Sequence, residues 1–221
     1  MAMPENLGPA GAIAAGMEKV ITNLADDDDW VLLIDDDDPP LFENAFEEMA
    51  SLAVRAPSSV AAVGLTGSRY DRWTGRLHRV LDDELEDLTE VSYVGNNQMP
   101  LYRVRALRDV GGFDPGMFIF SEELEFGLRA RAAGWRIVVS RQPTLRQREA
   151  SGRLGLGAFA PADRRAGGWR SYYAARNEVL LARRYGHASA PVVVTVRTLA
   201  GGIAKAVRAR SMSLLGPRSR G

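Results

Sequence analysis

The sequence predicts an α/β domain with a mixed, mostly parallel sheet flanked by helices. Three observations carry that prediction. Short apolar runs at Trp30–Ile34, Val60–Leu65 and Ile137–Val139 read as strands buried on both faces. Stretches with apolar residues at helical spacing alternate with them. The length, 221 residues, suits one sizeable domain rather than two large ones.

The elements follow in order. Asn6–Asn23 reads as a Gly-containing turn feeding a helix, with Ile13, Met17, Val20 and Ile21 on one face. Trp30–Ile34 is a strand that ends abruptly at Asp35, and Pro39-Pro40 stops regular structure. Phe42–Val54 is helical through Phe42, Phe46, Met49 and Leu52. Val60–Leu65 is a buried strand closed by Thr66-Gly67. Ser68–Thr89 is polar and weakly periodic, a loop or an irregular hairpin. Met99–Val104 reads as a short strand, and Gly111–Pro115 as a turn cluster. Ser121–Ala133 is a helix with Ser121 as its expected N-cap and Gly134 past its end. Arg136–Ser140 is a strand and Gly152–Gly168 a loop. Two helices close the chain, Trp169–Tyr185 and Val192–Arg210. The division expected is 1–186 for the main domain and 187–221 for a basic helix and tail.

Composition narrows the chemistry. With 46% apolar and 25% charged residues the chain is neither disordered nor collagen-like. No apolar run approaches the roughly 20 residues of a bilayer span. The absence of cysteine excludes disulfides, thiolate catalysis and zinc fingers, and two histidines leave little for histidine-built metal sites. The zero net charge is a cancellation: residues 1–126 hold 25 acids against 9 bases, and residues 127–221 hold 3 against 19. An acidic half suits cations and a basic half suits phosphates or lipid headgroups. Nearly all the bases are arginine, a bias that GC-rich coding also produces.

Four segments carry candidate chemistry. Asp35-Asp36-Asp37-Asp38 sits at the carboxyl end of a predicted strand, where ligands bind in open α/β sheets. Alternate carboxylates at Asp35 and Asp37 can point together at a hard divalent cation, which relieves their mutual repulsion; a solvated acidic turn is the other reading. The run Asp26–Asp29 precedes the strand, lies at the opposite edge, and reads as a hydrated loop. Glu122 and Glu123 fall in the first turn of a helix, where the dipole favours negative charge and keeps a carboxylate ready to accept a proton; ordinary N-terminal charge bias gives the same pattern. Glu125 has Arg129 four residues on. Asn6-Leu7-Gly8-Pro9-Ala10-Gly11 lets backbone approach a phosphate or simply starts a helix. Tyr172-Tyr173-Ala174-Ala175-Arg176-Asn177 places an arginine for phosphate oxygens or forms a Tyr-rich packing face.

Taken together and in this order, these segments, with Gly111-Gly112-Phe113-Asp114 and Glu122–Arg131, resemble family 2 glycosyltransferases over residues 6–185. The likeness is greatest to bacterial rhamnosyl- and galactofuranosyl-transferases of cell-envelope polysaccharides. The resemblance implies a GT-A fold, related to the Rossmann fold, and a nucleotide-diphospho-sugar donor (UDP- or dTDP-linked). It further implies Mg2+ or Mn2+, and inversion at the anomeric carbon. By position, Asp35 and Asp37 would hold the metal; Asn6, Gly8, Gly11, Asp36 and Arg176 would meet the donor. Glu123 would be the base on the acceptor hydroxyl, with Glu122, Asn96 and Asn97 binding the acceptor, a glycan or lipid-linked species. A cytoplasmic enzyme is implied, and nucleic acid is not among its partners.

The sequence departs from the family in three ways. Where relatives have a metal-binding histidine it reads Leu145-Arg146-Gln147-Arg148-Glu149, leaving Gln147 or Glu149 as the substitute. The acidic pair is Glu-Glu, one methylene longer than an aspartate. The family's N-terminal strand and Ser/Asp nucleotide segment would precede Asn6, so the expectation is an N-terminally truncated domain that binds nucleotide weakly and associates through exposed edges. A catalytically inactive remnant serving as a binding or membrane-associated module is the alternative function. A phosphotransfer enzyme is disfavoured because no Gly-x-x-x-x-Gly-Lys loop exists.

The C-terminal helix offers a separate expectation. Val192, Val196, Leu199, Ile203 and Val207 fall on one stripe, with Arg197, Lys205 and Arg208 largely opposite. Such a helix either rests on anionic lipid at the inner face of the plasma membrane or packs onto its own domain.

Overall fold

The computed structural model describes residues 5–23, 26–34, 40–95, 99–158 and 168–214, of which 205 and 208–214 by their backbone alone. The chain runs α1 (Gly8–Asn23), β1 (Trp30–Leu32), α2 (Ala45–Arg55), β2 (Val60–Gly64), β3 (Gly67–Tyr70), β4 (Leu77–Arg79), β5 (Thr89–Val91) and β6 (Tyr93–Val94). It continues through β7 (Leu101–Arg103), α3 (Val104–Val110), a 3-10 turn (Pro115–Met117), α4 (Glu122–Ala132), β8 (Arg136–Val139), α5 (Arg141–Ala150), α6 (Trp169–Tyr185) and α7 (Ala190–Leu214).

Five strands form the main sheet in the order β1-β7-β2-β8-β5. The mixed sheet with flanking helices agrees with the α/β expectation, but the pairing balance differs from mostly parallel. Only β2 and β8 are parallel neighbours; β7 runs antiparallel between β1 and β2, and β5 antiparallel to β8. Inserting β7 between β1 and β2 separates two strands of the same direction, which the order of elements along the chain does not reveal.

Strand alternation divides the core into two layers. Val31, Leu33, Tyr102, Ile137 and Val139 pack on one face with Met17 of α1, Leu107 of α3 and Phe126 of α4. Trp30, Leu32, Val63, Leu101 and Val138 pack on the other with Met49 and Leu52 of α2. Both faces of the sheet are covered, as its near-continuous apolar strands require.

Ser68–Thr89 is a hairpin rather than a loop: β3 pairs with β4 and with β6 in a second, three-stranded sheet. Ser121 precedes α4 and its carbonyl accepts the Glu125 N–H, the first bond of the helix, but its side chain does not cap: its φ of +67° departs from the extended backbone of a side-chain N-cap. Asp26–Asp29 is exposed, as a hydrated loop should be, yet Asp27 reaches Arg108 at 2.6 Å and ties the loop to α3. No described helix is long and apolar enough to cross a membrane.

Candidate active site

β1 delivers the chain through Leu33 and Ile34 to the Asp35–Asp38 run. Leu33 N–H donates to the Pro100 carbonyl at 3.0 Å, and Leu32 pairs with Leu101. The chain therefore leaves β1 and enters β7 at one sheet edge, the edge at which β2 and β8 also end. Asp35, Asp36, Asp37, Asn96 and Asn97 lie outside the described residues. Among the described residues no cluster of three or more His, Asp or Glu side chains forms a metal site.

The acidic pair is described. Glu122 and Glu123 open α4; Glu122 is buried and Glu123 half-buried. They lie over β7: burial, then the charges of Glu123 and Glu122, push the Tyr102 phenol well above its ordinary value. Tyr102 is 1% exposed and meets Phe113 and Phe126 edge-on at centroid distances of 5.5 and 5.3 Å. A helix N-terminus favours negative charge at both positions.

What fixes that helix start is the loop before it. Phe118, Phe120 and Ser121 have φ of +63°, +71° and +67°, three left-handed residues with side chains, each costing roughly 1 kcal/mol or more. Two other segments, α6 and α1, hold the loop in place. Asn177, fully buried on α6, donates its side-chain amide to the carbonyls of Met117, Ile119 and Phe120 at 2.9, 3.0 and 2.8 Å. Arg176 donates to the Gly116 carbonyl at 2.9 Å and to Asn177 Oδ1 at 3.0 Å. From the other side, the Ala10 N–H donates to the Phe118 carbonyl at 3.1 Å.

The glycines singled out for the donor have local duties here. A Cβ on Gly8 would lie 2.2 Å from the Phe118 carbonyl oxygen, and its φ is +69°; the close approach of α1 to the loop requires glycine. A Cβ on Gly11 would meet the Leu7 side chain at 2.3 Å. Asn6 Oδ1 accepts the Gly8 N–H at 3.0 Å, an Asx turn ahead of α1. Rings extend the assembly: Tyr173 stacks on Phe118 at 4.5 Å, with Trp169 edge-on to both.

Glu125, in the first turn of α4, is committed to other partners. Its carboxylate accepts from Arg129 at 2.8 Å and from the Tyr185 hydroxyl at 2.6 Å, with 3% of its side chain exposed. Burial and the Glu125 carboxylate raise the Tyr185 phenol, which stays protonated as donor. Of the two candidates after β8, Glu149 is exposed, whereas Gln147 is buried and its side-chain oxygen has no hydrogen-bond partner among the described residues.

The structure thus brings Asn6–Gly11, Glu122–Glu123 and Arg176 to one loop. It also adds Asn177, which stood in the quoted motif without a role. The signal for it was an asparagine one turn from both Tyr173 and Leu181 on a packing face, where a buried amide demands partners. Residues 2–179 match the family model described as Glycosyltransferase like family 2. A comparison with curated proteins gives no match.

Proposed function

The chain belongs to the glycosyltransferase like family 2, and on that premise we propose an inverting transfer of a sugar from a UDP- or dTDP-linked donor to a hydroxyl of a cell-envelope glycan or lipid-linked acceptor. The family gives the donor class and the transferase chemistry. The observation that supports it most is the convergence of two separated segments, α1 and α6, on the loop that sets Glu122 and Glu123.

In this reading Glu123 accepts the proton of the acceptor hydroxyl. The freed oxygen attacks the anomeric carbon from the side opposite the diphosphate, the carbon–oxygen bond to the diphosphate breaks, and its electron pair leaves with the nucleoside diphosphate. Configuration inverts because the displacement is single. Glu122, Asn96 and Asn97 hold acceptor hydroxyls. Asn6, Gly8, Gly11, Asp36 and Arg176 serve the donor side, Arg176 while still bonded to the loop.

The oxygen-only donor set of Asp35 and Asp37, following the edge strand β1 of the main sheet, fits a hard divalent cation, and these two residues would hold Mg2+ or Mn2+. Bound there, the cation supplies neutralisation of the charge that grows on the departing diphosphate. Gln147, whose buried side-chain oxygen lacks a partner among the described residues, is a better supplement than the exposed Glu149. The subfamily proposed is that of the bacterial rhamnosyl- and galactofuranosyl-transferases, with the protein in the cytoplasm.

The test is nucleoside diphosphate release from a panel of UDP- and dTDP-sugars, with Mg2+ or Mn2+ and then with chelator. Slow consumption of one donor, lost with chelator and in Asp35→Asn/Asp37→Asn, supports the reading. Consumption indifferent to both removes the metal and the aspartates from it.

A further inference from the structure

α7 turns its apolar stripe away from the domain that carries it. Ala190 and Val194 are fully buried, and Arg197, one turn further on, donates to the Thr74 carbonyl at 2.8 Å and pairs with Glu178 at 3.2 Å. These three residues are the docked face. Val192, Val196, Leu199, Ile203 and Val207 are between 59% and 65% exposed. At about 100° per residue the two sets lie roughly opposite each other on the helix. Among the described residues the stripe is therefore not a packing face, and from Gly201 to Ala204 the helix is exposed all round.

The charge around the stripe identifies what fits it. From Val179 to the C-terminus the sequence holds eight bases and no acid. Lys205 and Arg208 fall, by helical spacing, on the side away from the stripe. An apolar face backed by cationic residues, with no anionic residue to repel a negative surface, matches an anionic bilayer. A second copy of α7 fits less well. Pairing two stripes would bring two all-cationic segments together with no acid available for interhelical ion pairs. The family match ends at residue 179, before α7 begins.

We propose that α7 is a membrane-surface helix whose Val192–Val207 stripe enters the headgroup region of an anionic bilayer, holding the domain at the membrane as a peripheral protein. The inference stands on α7 alone and does not depend on which sugar is moved. Gly201-Gly202 lowers the helix's intrinsic stability, which burial of the stripe in an interface compensates.

The test is flotation of the full chain with vesicles of phosphatidylcholine, with and without phosphatidylglycerol. The wild type is expected to float with the anionic vesicles only and to be released by high salt. Leu199→Glu/Ile203→Glu should remain unbound while keeping its melting temperature, because both side chains are exposed. Lys205→Gln/Arg208→Gln should partition about 30-fold more weakly onto anionic vesicles. Failure of the wild type to float, equal flotation with neutral vesicles, or unchanged flotation of Leu199→Glu/Ile203→Glu would overturn the proposal. A dimer in sedimentation that this variant abolishes, without vesicle binding, would assign the stripe to a second copy instead.

Discussion

Asn177 on α6 reaches Phe120, 57 residues earlier in sequence, and donates its side-chain amide to that residue's carbonyl at 2.8 Å. With Met117 and Ile119 held by the same nitrogen, one buried amide sets the backbone that launches α4 and its acidic pair.

Asn177→Ala removes that donor and leaves three loop carbonyls without it. Buried groups stripped of partners cost about 1–3 kcal/mol, so urea denaturation should show a loss of about 2–3 kcal/mol. Asn177→Asp should not restore stability, since an ionised carboxylate has no proton to donate. Rescue by aspartate would mean that the size of the side chain, not its amide, holds the loop.

Two glycines of α1 should respond in opposite directions. Gly8→Ala puts a methyl 2.2 Å from a backbone oxygen at a φ of +69°, and is expected to lose about 2 kcal/mol by thermal or urea denaturation. Gly16→Ala, inside the same helix with nothing within 4 Å of the new Cβ, should gain about 0.5–1 kcal/mol. Equal responses would mean that the approach of α1 to the Phe118 loop is not what Gly8 secures.

Asp82 links the second sheet to α5. Burial alone would raise it, but the Gly155 N–H, Arg79 and Arg148 outweigh that and hold it at about 2, below the ordinary 3.8. A carboxylate lowered in the fold gives stability that is fully present above its unfolded value and is lost as pH falls through the folded value. Stability should therefore decline from about pH 4 towards pH 2, and Asp82→Asn should flatten that part of the curve. Because Arg148 is 4% exposed, Asp82→Asn should also cost about 3 kcal/mol at neutral pH by leaving a buried guanidinium without its carboxylate. An unchanged acid limb would assign acid sensitivity to other carboxylates.

The parts legible in the sequence were those with an apolar period of their own. Val60–Gly64, Arg136–Val139 and Trp169–Tyr185 appear as strands and helix where the pattern set them. α5 was missed because its buried positions are Pro143, Thr144, Gln147 and Arg148, which give no apolar stripe. α3 was missed because it follows β7 without a loop, so Val104 read as the end of the strand. The Ser121 cap failed for a non-local reason: its left-handed φ is imposed by contacts from α1 and α6, and no local rule contains Asn177. The candidate site shows the same division. Residue types and order pointed to Glu122, Glu123 and Arg176, but the loop that gathers them is specified by long-range hydrogen bonds.

The central claim is that Glu123 takes the acceptor's proton. Glu123→Gln keeps the shape of the side chain and removes its basicity, so nucleoside diphosphate release in the presence of acceptor should fall by about 100-fold or more, while calorimetric binding of the donor stays unchanged. Release at the wild-type rate would contradict the account and take Glu123 out of the chemistry.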